Sequence, residues 1–279
     1  MTSPELKPDL TLTSPIGLIA GNGYLPIEFA KSARERGLKV VAIAHLGESD
    51  SALAGAVDKI SWIRVGQLGK AINFLKKNSV RQLAFAGGIR RPKLFSGHFR
   101  LDARALKVIA RTRSIRDDVI LRAVAEEFQM EGLSVISPTT LLPQSVPVAG
   151  VLTVRSPSSS ELGDIELGYK AAKSLGQHDI GQALCVVDGV IVALEAVEGT
   201  DAMIRRAKAL SGRAGVVVKV CKPQQDIRLD LPTIGPETVA VLKEAGATVL
   251  AIEAGRTIII NPQETIMAAN RAAISIVAM

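Results

Sequence analysis

The sequence predicts an α/β protein of two domains, an N-terminal Rossmann-like parallel sheet with helices and a C-terminal α/β domain with a mixed sheet. Three observations carry this reading. Aromatics are 3% of the chain and apolar residues 47%, so the core has to be built from Ala, Val, Ile and Leu, the mixture of buried strands and Ala-rich helices. The first recognisable unit is a strand, a glycine turn, a helix and a second strand, the opening of a doubly wound sheet. The length of 279 residues exceeds that of most single domains.

The elements follow in order. Residues 1–14 are polar and contain proline, and read as a flexible tail. Ile16 to Ala20 (IGLIA) is a short buried strand. Gly21, Asn22 and Gly23 turn into a helix over 26–36, with Pro26 in its first turn, where a missing N–H costs nothing. Gly37 ends that helix and residues 38–45 (LKVVAIAH) form the next strand. A helix over 66–78, a strand over 80–86, helices over 102–112 and 117–131 and a strand over 133–137 complete the N-terminal domain, 15–143. Prolines and a glycine in LLPQSVPVAG place a linker at 144–150.

The C-terminal domain, 151–279, begins with a helix over 160–175. Strands over 179–188 and 190–195 flank an Asp-Gly hairpin turn. A helix over 201–210, a strand over 215–220 and a helix over 238–245 follow. Then come two strands, TVLAIEAG and RTIII, and an Ala-rich helical segment from Pro262 onward.

Charge narrows the partners. The formal charge of +7 suits phosphorylated small molecules, an anionic membrane face or nucleic acid. Basic residues concentrate between Arg81 and Arg122, where the aromatics are only Phe85, Phe95 and Phe99 with no Trp or Tyr, so a base-stacking surface and nucleic acid are not expected. Cys185 and Cys221 are too few for a disulfide scaffold or a closed zinc site. His45, His98 and His178 are scattered, which disfavours a zinc-type site. With no apolar leader and no run of ~20 apolar residues, the expected location is cytoplasmic, with peripheral contact at the membrane surface left open.

Six segments carry candidate chemistry. Gly21, Asn22 and Gly23 offer backbone amides at a helix N-terminus, a place for phosphate. The dinucleotide pattern G-x-G-x-x-G fails there: Pro26 stands at the third glycine, and His45 stands where an acidic ribose partner belongs. That argues against a Rossmann-type oxidoreductase. FAGGIRRP puts Gly87 and Gly88 at a strand's carboxyl end, where such sheets bind ligands, with Arg90 or Arg91 able to fork onto phosphate. Asp117 and Asp118 begin a helix, where acids complement the dipole. In ELGDIELG, Glu161 and Asp164 are neighbours at i,i+3 and carry oxygens suited to a hard cation; the plainer alternative is a capped acidic first turn after Ser158. Glu195 leaves a strand just before Thr200, a suitable N-cap, and Asp201; two acids and a hydroxyl there suit metal or phosphate. Finally, VVVKVCKPQQDIRLDLPTIG sets Lys219 and Lys222 among apolar residues and then Asp226, Arg228 and Asp230 at every second position, on one side of an extended segment.

The segments IGLIAGNGYLP, LAFAGGIRRP, ELGDIELGYKAA, DIGQALCVVDGVIVALEAVEGTDAM and KPQQDIRLDLPTIGPETV, in this order and spacing, resemble the UDP-2,3-diacylglucosamine pyrophosphatases of the LpxI type, over about residues 16–260. Gln224, where a small residue is usual, and Gly88, where a larger one is common, depart from that pattern. The resemblance implies hydrolysis of UDP-2,3-diacylglucosamine to UMP and 2,3-diacylglucosamine 1-phosphate in lipid A biosynthesis, with Mg²⁺ (or Mn²⁺), in a cleft between two domains. It puts the essential acid on Asp226, as metal ligand or water-orienting group. Glu195, Asp201 and Asp164 are then further candidates for the metal, Lys222 and Arg91 for phosphate oxygens, and Lys219, Thr200 and the two glycine loops for the rest of the substrate. A homodimer is the expected assembly. A non-catalytic nucleotide or lipid carrier is the alternative, and predicts binding without turnover.

Overall fold

The computed structural model describes residues 11–89, 100–112 and 117–279. The N-terminal sheet holds β1 (Ile16–Ala20), β2 (Val40–His45), β3 (Lys59–Ile63), β4 (Gln82–Ala86) and β5 (Ser134–Ile136) in the order β3-β2-β1-β4-β5. All neighbours are parallel. The chain lays strands outward to one side of β1 and then returns to the other, so a switch point lies between β1 and β4, at whose carboxyl ends ligands bind in such sheets. One face is covered by α1 (Leu25–Glu35) and α2 (Leu53–Ala56), the other by α3 (Leu68–Lys77), α4 (Ala103–Thr112) and α5 (Asp117–Met130).

The C-terminal sheet contains β6 (Gly150–Val151), β7 (Ala183–Val187), β8 (Val190–Leu194), β9 (Gly215–Lys219), β11 (Ala247–Ile252) and β13 (Ser275–Ala278), ordered β6-β13-β11-β9-β7-β8. β9, β11 and β13 are parallel, while β6, β7 and β8 each run antiparallel to a neighbour. α6 (Ser159–Gln177) lies on one face; α7 (Thr200–Ser211), α8 (Pro236–Glu244) and α9 (Pro262–Arg271) lie on the other. β10 (Thr233–Ile234) and β12 (Ile258–Ile259) form a separate parallel pair.

Local chemistry explains α6. Ser158 Oγ accepts the Glu161 N–H and Glu161 Oε2 accepts the Ser158 N–H, a reciprocal cap that satisfies two orphan donors. Arg155 Nη2 holds both Glu161 oxygens, at 2.7 and 2.8 Å. Gly168 lets the helix sit directly on β9, since a Cβ there would stand 2.5 Å from Val218 Cγ2.

Several expectations are corrected. Residues 11–14, read as tail, are held at Gln82, the first residue of β4: Thr13 N–H reaches Gln82 Oε1 at 2.7 Å and Gln82 Nε2 donates to Thr11 O at 3.3 Å. β3 was not anticipated, because its burial pattern is irregular and Trp62 is 36% exposed at the sheet edge. The Ala-rich end is not helical throughout. Ala273 adopts a φ of 54° after α9, and Ser275–Ala278 then pair with β11 and β6; β-branched residues beside an open strand edge outweigh helix propensity.

The two domains meet along residues 220–232. Leu231 packs in the α1 face of the N-terminal sheet together with Cys221 and Ile258, while Leu229 packs in its opposite face beside Phe85 and Phe128. Ser137 Oγ, just past β5, donates to Ile227 O at 3.3 Å, and Arg122 Nη2 donates to Gln224 O at 3.1 Å. This loop of the C-terminal domain therefore straddles the carboxyl edge of the N-terminal sheet.

Candidate active site

Strand direction decides which candidates share an edge. β9 and β11 end at Lys219 and Ile252, which are register partners, and antiparallel β7 begins at Ala183 opposite Lys219. β8 ends at Leu194, opposite Leu184. Lys219, Cys221, Lys222, Glu253, Gln182 and Glu195 thus lie along one edge, with Thr200 at the start of α7 and Asp179 past the end of α6. The 220–232 loop leaves from this edge.

The loop is built of turns and is not the extended segment that alternation suggested. Gln225 N–H bonds to Lys222 O, and the Leu229 and Asp230 amides both bond to Asp226 O. Asp226 and Arg228 consequently face each other: Arg228 Nε is 3.0 Å from Asp226 Oδ1 and Nη2 is 2.6 Å from Oδ2. These bonds, opposed by partial burial and helped by the Arg228 amide and the charge of Arg122, hold the Asp226 carboxyl below its usual range. It is an anion across neutral and mildly acidic pH. Asp230 is engaged elsewhere, accepting from Gln225 Nε2 at 2.5 Å.

Both lysines are buried and placed. Lys222 Nζ is 2.5 Å from Asp179 Oδ1. Lys219 Nζ donates to Thr233 O at 2.9 Å, tying β9 to β10. An ammonium has three donors, so each keeps capacity for a phosphate oxygen.

The acidic candidates do not assemble into one cage. Glu195 is buried, and its oxygens accept from Gln182 N–H at 3.1 Å and Thr200 Oγ1 at 2.7 Å. Thr200 is the first residue of α7 rather than its cap; Gly199, with φ 84°, takes that position. Asp201 is exposed in the first turn. Asp164 lies at the opposite edge, where its Oδ1 accepts the Gly189 N–H at 2.8 Å and fastens the β7–β8 hairpin, roughly 20 Å of strand away from Glu195. Glu161 is committed to its cap. Among the described residues no group of three or more His, Cys, Asp and Glu side chains can hold a metal. The residues present therefore do not fit an all-protein cage. They do fit Mg²⁺ held by one or two carboxylates with substrate phosphate and water, the usual manner for that ion.

The glycine loops at the N-terminal switch point behave differently from expectation. Gly21 N–H bonds to Ala86 O and Asn22 N–H to Gly88 O, both at 2.8 Å. Those amides are spent holding the loops together. A Cβ at Gly21 would stand 2.3 Å from Gly88 O, and one at Gly87, with φ 78°, would stand 2.2 Å from Asn22 O. The glycines are there for close backbone contact first. Gly23, with φ 81° and open space around it, starts the turn into α1. Arg90 and Arg91 lie outside the described residues.

Sequence reasoning missed three buried groups, Glu48, Gln225 and Glu253, and the half-buried Lys173. Glu48 follows β2 by three residues, with Asn22 Nδ2 3.4 Å from its Oε2, so an acid does reach the region where His45 seemed to replace one. His45 Nδ1 bonds to Ala20 O at 2.8 Å, and burial lowers its pKa. Glu253, Lys173 and Gln225 were also passed over. Glu253 directly follows a buried strand, and the reasoning that selected Glu195 would have selected it as well.

Comparison with known proteins agrees with this two-domain layout. Residues 15–145 match the family model of the LpxI N-terminal domain and residues 148–277 that of the LpxI C-terminal domain. The UDP-2,3-diacylglucosamine pyrophosphatase LpxI of Caulobacter vibrioides is 35% identical over 269 residues, covering 91% of this chain and 94% of its own. Among solved structures, an N5-carboxyaminoimidazole ribonucleotide synthetase in its ADP complex is 15% identical over 72% of this chain and 46% of its own, with a TM-score of 0.30. The biotin carboxylase subunit of pyruvate carboxylase is 13% identical over 72% of this chain and 43% of its own, with a TM-score of 0.27. This chain spans less than half the length of either structure. Both of its domains are matched by their own family model, and the chain belongs to the LpxI family.

Proposed function

We propose that this protein hydrolyses the pyrophosphate of UDP-2,3-diacylglucosamine, giving UMP and 2,3-diacylglucosamine 1-phosphate, a step of lipid A biosynthesis, with Mg²⁺ (or Mn²⁺) as cofactor. The activity is that named for the Caulobacter vibrioides relative. The observation that carries the reading to particular residues is Asp226, an ionised carboxylate on the loop that joins the facing edges of the two sheets.

Water adds to one phosphorus, the bridging P–O bond breaks, and one phosphate leaves with the electron pair while a proton goes to solvent. A carboxylate with a lowered pKa is a weak proton acceptor at pH 7. Asp226 therefore acts by its charge and its lone pairs, holding the cation or orienting the water. Asp226 would hold Mg²⁺ there, and the ion would supply screening of the phosphate charge. Lys222 and Lys219 place cationic donors on the same edge, and Lys222 can keep Asp179 while one donor turns to a phosphate oxygen. Glu195 and Thr200 bound that edge, with Asp201 in the turn beyond. The switch-point loops of Gly21–Gly23 and Gly87–Gly88 wall the nucleotide side, with Arg91 as a further phosphate contact, and apolar walls between the domains take the acyl chains. Contact of the basic stretch of sequence between Arg81 and Arg122 with anionic lipid would bring a membrane-borne substrate close.

The test is UMP release from UDP-2,3-diacylglucosamine with Mg²⁺ or with EDTA, with Asp226→Ala alongside. Metal-dependent release that collapses in the variant supports the reaction and its acid. Release untouched by the variant removes Asp226 from the site. Binding without UMP under any condition points to a carrier.

A further inference from the structure

Lys173 in the last turns of α6 and Glu253 just past β11 meet at the root of the Asp226 loop. Glu253 Oε2 accepts from Lys173 Nζ at 2.6 Å and from the Cys221 N–H at 3.0 Å, while Lys173 Nζ also donates to Cys221 O at 2.8 Å. Both backbone polar groups of Cys221 are thus held by one ion pair, whose members come from a helix and from the end of a strand on different layers. The pair is largely shielded, with side-chain exposures of 21% and 11%.

The hold passes on toward Asp226 through Gln225. Its Oε1 accepts from the Lys222 N–H at 3.0 Å and from Cys221 Sγ at 3.3 Å, and its Nε2 reaches Asp230. Gln225 thus joins the beginning of the loop to its end, and Asp226 is the next residue. A buried ion pair adds little net stability over apolar groups of the same volume. What it adds here is direction, since a backbone unit bonded on both sides to anchored charges cannot pivot. Reaction rates respond steeply to displacement of about 1 Å.

We propose that Lys173 and Glu253 are positioning residues, a charged clamp on Cys221 that sets where Asp226 stands. The inference rests on the function proposed above for Asp226.

The experiment compares wild type with Lys173→Met, Lys173→Arg, Glu253→Gln and the exchanged pair Lys173→Glu/Glu253→Lys. The readouts are kcat and KM for Mg²⁺-supported UMP release, thermal melting, and hydrogen exchange of the amides of residues 221–230. Lys173→Met and Glu253→Gln are expected to lower kcat on the order of 10- to 100-fold, with KM changed less than about threefold, and to speed exchange in 221–230 while other strands keep their protection. Lys173→Arg should recover most of the rate. The exchanged pair should not, because an ammonium at position 253 cannot accept the Cys221 N–H. Folded Lys173→Met with wild-type kcat and unchanged loop exchange overturns the inference alone. Recovery by the exchanged pair also overturns it, showing that only the charge pairing mattered. If Lys173→Met fails to fold, Glu253→Gln and Lys173→Arg decide the matter by the same two readouts. Absence of UMP release from wild type instead overturns the reaction, and the inference with it.

Discussion

Arg228 engages both oxygens of Asp226, and its own backbone N–H adds a third bond to Oδ1 at 3.0 Å. The candidate acid thus has a built-in cationic partner two residues away. A metal ion approaching Asp226 meets a carboxylate that is already ionised and already neutralised.

Arg228→Met should move the acid limb of the pH–rate profile upward. The guanidinium is the largest influence lowering the Asp226 pKa, so its loss lets the carboxyl protonate at higher pH and activity fade earlier on acidification. The same variant should need less Mg²⁺ for half-maximal rate at pH 7, because no side-chain cation competes. Rates measured from about pH 3 to 8 at several Mg²⁺ concentrations check both; an unmoved acid limb counts against Asp226 as the titrating group.

Two glycine substitutions separate backbone conformation from backbone crowding. Gly87→Ala puts a Cβ 2.2 Å from Asn22 O at a left-handed φ, and should cost about 3 kcal/mol or more. Gly23→Ala has the same handedness with open space around it, and should cost about 1–2 kcal/mol. Denaturant unfolding of both variants tests the order, and equal losses would show that the loop contact gives way easily.

Asp164→Ala should lower stability by about 1–3 kcal/mol, since it leaves the Gly189 N–H without its partner. The Mg²⁺ dependence of any hydrolysis should stay unchanged. A shifted metal requirement in this variant would bring Asp164 back as a ligand.

Glu161 links stability to pH. Burial works to raise its pKa, but bonds from Thr248, the Ser158 amide and Arg155 together hold it at about 2, against an ordinary 4.5. A lowered carboxyl pKa contributes stability that is present above the unfolded value and lost as pH falls. Stability should therefore decline between about pH 4.5 and 2, and Glu161→Gln should flatten that part of the curve. Chemical denaturation at stepped pH measures it.

The sequence was legible where a local pattern suffices. The strand, glycine turn and helix at residues 16–35, the Asp-Gly hairpin at 188–189 and the buried strand ending at Lys219 all announce themselves within a dozen residues. β13 did not, because only a distant edge makes those four residues a strand. The turns of 225–230 did not either: period-2 spacing reads as extended chain until Leu229 is known to be drawn into a core some 100 residues earlier in the chain. Asp164 and Glu195 looked alike as acids near helix starts, and only strand direction sends them to opposite edges. The meeting of Lys173, Cys221 and Glu253 joins positions 48 and 80 residues apart, beyond the reach of any motif.

Leu229 and Leu231 sit on opposite faces of a sheet to which they do not belong by sequence. Each buried leucine contributes roughly 1.5–3 kcal/mol, so the loop holds the two halves together much as a rivet holds two plates. A fragment ending near residue 145 would lack two plugs of its own interior, and one beginning near 148 would carry those plugs bare into solvent. The halves should therefore melt as a pair, and the proposed acid, Asp226, rides on the piece that binds them.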